Sequence, residues 1–89
     1  MQVKNVNKTN QIQLTNGTTF AVGDVHEDGI ILEIQAGSDF DNEIKDWEFE
    51  DWDGNPVSST EVKARLDVVD GGEGWSVFLT EDGTEVVEK

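Results

Sequence analysis

The sequence predicts an all-β protein, a small single-domain barrel or roll of about six or seven short antiparallel strands. Three observations carry this expectation. Apolar residues recur at every second position in several short runs, as in Val62, Ala64, Leu66 and Val68, which is the period of a half-buried strand. Turn signals rich in Gly, Asn and Asp separate those runs at intervals of roughly 8–12 residues, as in small sandwiches and barrels. A length of 89 residues fits one domain, spanning 1–89, and folding a chain of this size buries about 64% of its unfolded surface.

The elements follow in order. Ile12 and Leu14 alternate with Gln13 and Thr15, and Asn16-Gly17 follows. Asn-Gly is a strong hairpin signal because both residues tolerate the positive φ of a type I′ turn. Phe20 and Val22 alternate on the return strand. Gly23-Asp24 and Glu27-Asp28-Gly29 punctuate the next stretch. The run from Gly29 to Gln35 then reads as a central strand, with Ile30, Leu32 and Ile34 on one face and Ile31 and Glu33 on the other.

Residues Asp39 to Asp53 hold eight acids against one lysine, a net −7 and half of the protein's total. Phe40, Ile44, Trp47, Phe49 and Trp52 interrupt the acids, so the segment is no solvated low-complexity tail. Its first part is a loop or one helical turn. Trp47 and Phe49 alternate with Asp46, Glu48 and Glu50, a strand pattern. Asp53-Gly54-Asn55-Pro56 is a turn, and Pro56 cannot join a central ladder.

From Thr60 to Val69 two patterns compete. Ser58 with Glu61 mimics a helix capping box, but the four alternating apolar positions favour a strand. Trp75, Val77 and Leu79 form a further strand, which Glu81-Asp82-Gly83 turns back into Thr84 to Val87 as a second hairpin. The expected core is Ile12, Leu14, Phe20, Ile30, Leu32, Ile34, Trp47, Leu66, Val77 and Leu79.

The run Phe20-x-Val22-Gly23-Asp24, followed by Gly29-Ile30-Ile31-Leu32-Glu33-Ile34, resembles the Gly-Asp turn and following strand of SH3-like small barrels. The resemblance spans about 15 residues and implies topology alone. No Ala-Leu-Tyr-Asp-Tyr-like run is present, and the chain has no tyrosine with which to line an SH3 ligand groove.

Charge bounds the function. Twenty acids against six bases give a formal net charge of −14. Such a surface repels nucleic acid and anionic membrane and attracts cations and basic protein surfaces. With no cysteine, neither a disulfide nor a thiolate metal site is possible. No apolar stretch is long enough to span a bilayer. The N-terminal residues lack the apolar core of a secretory signal, so a cytoplasmic location is expected.

Catalytic chemistry is not expected. A nucleophilic triad needs a base that is oriented by a third group and holds a nucleophile. The single His26 stands between Val25 and Glu27, and Ser38, Ser58, Ser59 and Ser76 lie in no nucleophile elbow. Gly71-Gly72-Glu73-Gly74 lacks the lysine of a phosphate-binding loop. No cofactor is expected.

Calcium loops fail in detail. Counted from Asp51, position six is Pro56 and position twelve is Val62; counted from Asp39, position six is Ile44. An EF-hand requires Gly at six and an acid at twelve. Asp39, Asp41 and Glu43 remain as candidate cation ligands of another kind, against the alternative of a solvated acidic loop.

The acidic strand is the most informative feature. Alternate side chains of a strand lie about 6.6–6.8 Å apart on one face, so Asp46, Glu48 and Glu50 would form a regular row of carboxylates. Phosphates along one DNA strand are about 3.4 Å apart axially and further apart through space. The composition is similar to that of small acidic DNA mimics, such as phage inhibitors of restriction and CRISPR systems, although no motif is shared. Charged residues on an edge strand also prevent sheet-to-sheet pairing, which is the competing explanation. Trp52 breaks the alternation beside a turn and suits an exposed protein-binding anchor.

Three functions therefore stand open. The first is a binding protein that docks on a basic protein surface through Asp46, Glu48, Glu50, Asp51, Trp52 and Asp53, its partner a nucleic-acid-binding protein that it inhibits. The second is a structural or accessory small β module, phage-associated or oligomeric, whose charge serves solubility. The third is a calcium-dependent binding module.

Overall fold

A computed structural model describes residues 8–89. Its strands are β1 (Lys8–Thr9), β2 (Gln11–Gln13), β3 (Thr19–Ala21), β4 (Val25–His26), β5 (Gly29–Ala36), β6 (Phe49–Asp51), β7 (Pro56–Val57), β8 (Val62–Asp70), β9 (Glu73–Thr80) and β10 (Glu85–Glu88). Helix α1 (Ser38–Ile44) follows β5, and a 3₁₀ turn (Ser59–Glu61) precedes β8. The class is all-β and every strand pair is antiparallel.

Eight strands form one open sheet in the order β1-β5-β8-β9-β10-β6-β7, with β4 folded back on β5. Strands β2 and β3 form a separate ribbon. The sheet does not close, which corrects the expectation of a barrel. One edge is β7, a two-residue strand that begins with Pro56 and its missing N–H. The opposite edge is made of β1 and β4, each two residues long. Edges this short offer few groups with which to close a barrel or recruit another chain.

The central strands are buried on both faces. In β9, Val77 and Leu79 belong to one apolar cluster and Phe78 to another, because successive side chains of a strand point to opposite faces. The first cluster packs Ile31, Ile34, Leu66, Val68, Val77 and Leu79 beneath the β2–β3 ribbon, which contributes Ile12, Leu14 and part of Phe20. The second packs Phe78, Val86, Phe49 and Val62 against α1. Phe40 and Ile44 lie one turn apart on α1 and are its buried residues, the neighbour spacing on a helix surface. Trp47, half-buried, meets Phe78 edge-on at 6.2 Å between ring centres.

Strand β5 departs from its expected facing. Ile31 is fully buried, whereas Leu32 is 57% exposed and Ile30 is also exposed. Pairing with β8 shifts register between Ile31 and Glu33, so Leu32 is the extra residue of a β-bulge. The bulge breaks the alternation, and Ile31 and Ile34 share the core face.

Both patterns around residue 60 are realised in succession. Ser58 and Glu61 form a complete capping box on the 3₁₀ turn, and β8 begins at Val62.

Three tight loops share one geometry. In 14–18, 51–55 and 80–84, the first residue's N–H donates to the fifth residue's carbonyl, and the fourth residue, a Gly, donates back to the first. Gly17, Gly54 and Gly83 all have positive φ, as in three-residue hairpin loops closed by a left-handed Gly. Asn16 does not have positive φ, so the first hairpin has no type I′ turn.

Candidate functional site

The expected carboxylate row does not form. The Trp47 amide donates to the Ile44 carbonyl at 2.9 Å, which carries the helical winding past α1. The chain becomes extended only at Phe49. Asp46 therefore lies exposed in a turn and Glu48 exposed in the link, while only Glu50, half-buried, stands in a strand. The Glu48 backbone carbonyl holds the Lys89 amide at 2.8 Å.

Asp51 fastens its own loop. Its carboxylate accepts from the amides of Asp53 and Asn55, both at 2.9 Å, and from Asn55 Nδ2 at 3.4 Å. The Asn55 amide is the chief cause that holds the Asp51 carboxyl below its ordinary value. The loop fastened in this way carries Trp52, 74% exposed, and the exposed Asp53.

Asp39, Asp41 and Glu43 do not gather around a point. All three are exposed on α1, and helix positions two apart do not face each other. Among the described residues, the convergent group of metal-ligating side chains is instead His26, Glu27 and Glu85.

That group is assembled by two hairpins. His26 ends β4 and pairs with Gly29 across the two-residue turn Glu27-Asp28. Glu85 opens β10 directly after the 80–84 loop. The ligating atoms of the three side chains lie within 4.8 Å of one another. The Phe20 ring meets the His26 imidazole edge-on at 5.5 Å. Nε2 of His26 is buried and has no hydrogen-bond partner. Partial burial raises the Glu85 carboxyl above its ordinary value, and the neighbouring Glu27 charge raises it further, with His26 opposing.

Glu27 and Glu85 also line a groove of about 340 Å³ with Trp52, Trp75 and Val87. One indole is exposed and the other half-buried. The pairing of aromatic faces with carboxylates suits a cation. A second depression, near Thr15, Thr60 and Thr84, also includes Asp82. Asp82 is already engaged there, with Oδ1 accepting from the Thr84 hydroxyl at 2.9 Å and from the Thr84 amide at 3.2 Å.

Sequence reasoning placed Trp52 at the surface but missed this groove. Glu27 and Glu85 are far apart in the chain, and β5, β8 and β9 separate their strands in the sheet order, so the curvature of the sheet rather than strand pairing brings their side chains together. Glu27 is the one non-glycine among the described residues with positive φ, at 56°, in a turn that opens an otherwise regular hairpin. No protein-family model, curated protein or solved structure matches the chain. Among the described residues, no helix is long and apolar enough to cross a membrane.

Proposed function

We propose that this is a non-enzymatic binding protein whose acidic face docks on a basic protein surface. The observation that carries the reading is Trp52. A large indole left 74% exposed loses contact with water only when something covers it, and its loop is held by Asp51 rather than left loose. Interface anchors are commonly such residues. Glu27 and Glu85 line its groove, Asp53 follows it in the same loop and Glu50 pairs with Val87 of that groove; the partner's Lys or Arg side chains would lie between Trp52 and Trp75.

The net charge of −14 makes a nucleic-acid-binding protein the natural partner, since its surface is built for phosphates. Covering that surface would inhibit it, as a phage-type DNA mimic does. An evenly spaced carboxylate row no longer supports this part of the reading; the charge and the anchored Trp52 do.

The test is capture of partners at low and high salt, followed by binding kinetics with the purified partner. Reversal of Glu50 and Asp53 to Lys should abolish binding, and Trp52→Ala should speed dissociation. A control reversal at the exposed Asp70, Glu73 and Glu81 should change little. Equal loss in the control would mean bulk charge rather than a docking face.

A further inference from the structure

We propose that His26, Glu27 and Glu85 bind a divalent transition-metal ion of the zinc class. The inference goes beyond the docking reading and does not depend on it, although the two share Glu27 and Glu85.

Convergence is the first argument. One imidazole nitrogen and two carboxylate oxygens already lie within 4.8 Å of one another. Bonds of about 2.0–2.2 Å to a four-coordinate zinc ion hold its donors roughly 3.4 Å apart. A small rotation of Glu27, which is exposed at the tip of its turn, closes the difference.

The second argument is the imidazole. A buried polar atom without a partner is unusual in a folded protein, and Nε2 of His26 is such an atom. A metal ion bound at this nitrogen would give it the partner it lacks. The Phe20 ring packs edge-on against the imidazole at 5.5 Å. An imidazole donor favours zinc and its neighbours over calcium or magnesium, which prefer oxygen alone.

The third argument is charge. Two carboxylates crowd one another here, and a dication neutralises both. Three protein donors fill three of the four positions of a tetrahedral zinc site, and two of them, Glu27 and Glu85, line the groove that holds Trp52 and Trp75. Glu27 reaches this position from a backbone with φ of 56°, a conformation that L side chains adopt at a penalty and that Gly adopts freely.

The experiment uses the full chain, stripped with a chelator and titrated with zinc chloride at about 0.15 M salt to screen diffuse attraction. The sequence has one histidine, so the side-chain nitrogen NMR signals report His26 without ambiguity. One equivalent of zinc should shift the His26 Nε2 resonance to saturation and raise the melting temperature. Calcium in excess should leave the resonance where it was. Glu27→Gly removes a ligand while relieving the backbone, so it should fold at least as well and weaken zinc binding more than about tenfold, the scale on which metal sites respond to lost partners. Glu85→Gln should weaken it similarly.

The proposal is overturned if zinc leaves the His26 signals unchanged up to about 1 mM, a threshold for weak association. It is equally overturned if Glu27→Gly binds as the parent does, or if calcium shifts His26 as zinc does. Those results would leave the docking reading intact, because that reading turns on Trp52 and the reversals at Glu50 and Asp53.

Discussion

The backbone carbonyl of Glu81 accepts from both the amide and the hydroxyl of Thr15, at 3.0 and 2.9 Å. Asn16 Nδ2 adds a bond to the Asp82 carbonyl at 2.9 Å. Two loops of the same geometry thereby clamp the β2–β3 ribbon to the β9–β10 hairpin. The ribbon has no ladder bonds to the main sheet, so its place over the first apolar cluster rests on this clamp, on the bonds from the Gly23 amide to Ile31 and from the Ile31 amide to Asp24 just beyond the ribbon, and on side-chain burial.

Asn16→Ala should therefore loosen the ribbon before the sheet. The variant loses the bond to Asp82 and also the bond from the Thr18 amide to Oδ1. Each such bond contributes about 0.5–1.5 kcal/mol. Hydrogen exchange should quicken at Ile12 and Phe20 while Leu66 and Val77 stay protected. Uniform acceleration would show that ribbon and sheet open together.

Leu32 and Ile34 should respond very differently to truncation. Leu32→Ala removes an exposed side chain and should change stability by less than about 0.5 kcal/mol. Ile34→Ala empties a packed site and should cost about 2–5 kcal/mol. Denaturant melts of the two variants measure the difference, and comparable losses would place the bulge elsewhere.

The bulge also shows where the sequence was readable. In β8 the alternation of Val62, Ala64, Leu66 and Val68 identifies the strand and its buried face, and all four are buried. In β5 the same reasoning chose Ile30 and Leu32, because an inserted residue leaves no mark in a run of branched apolar side chains. Trp52 was legible as exposed because it broke a pattern beside a turn. Asp46, Glu48 and Glu50 failed as a row because one backbone bond, Trp47 to Ile44, kept the chain wound. The i, i+4 spacing of Phe40 and Ile44 was the available hint of that helix. The groove required tertiary curvature that no local pattern encodes.

Gly29 should tolerate no side chain. A Cβ there would overlap Val68 Cγ1, and would come within 2.9 Å of Trp75 Cη2 and of the Val69 carbonyl oxygen. The carbonyl belongs to the adjacent strand and cannot yield without breaking the pairing of β5 with β8. Gly29→Ala should cost about 1–3 kcal/mol or more, the range for overfilled cores, and it should alter Trp75 fluorescence. A variant as stable as the parent would mean that β5 and β8 can part freely at the Gly29 end.

Stability should pass through a maximum on the acid side of neutrality. Glu85 binds its proton more tightly in the folded state than the ordinary value of 4.5, because of burial and Glu27. A group raised in this way makes the folded state take up more protons, so stability rises as pH falls from neutrality toward about 4.5. Asp51 and Asp82 act in the opposite sense. Asn55 holds Asp51, and the Thr80 and Thr84 hydroxyls hold Asp82, below the ordinary value of 3.8. Their contribution is complete above that value and is lost as pH falls through their lowered folded values. The melting temperature, followed by circular dichroism in a buffer free of divalent ions, should climb as pH drops from 7 to about 5 and decline below about 4. Glu85→Gln should flatten the climb and leave the decline. Added salt at neutral pH should raise the melting temperature as well, since a net charge of −14 repels itself over distances that about 0.1 M salt screens. A melting temperature that falls steadily from pH 7 would show that carboxylates held in bonds outweigh the crowded ones, and that Glu27 and Glu85 do not meet.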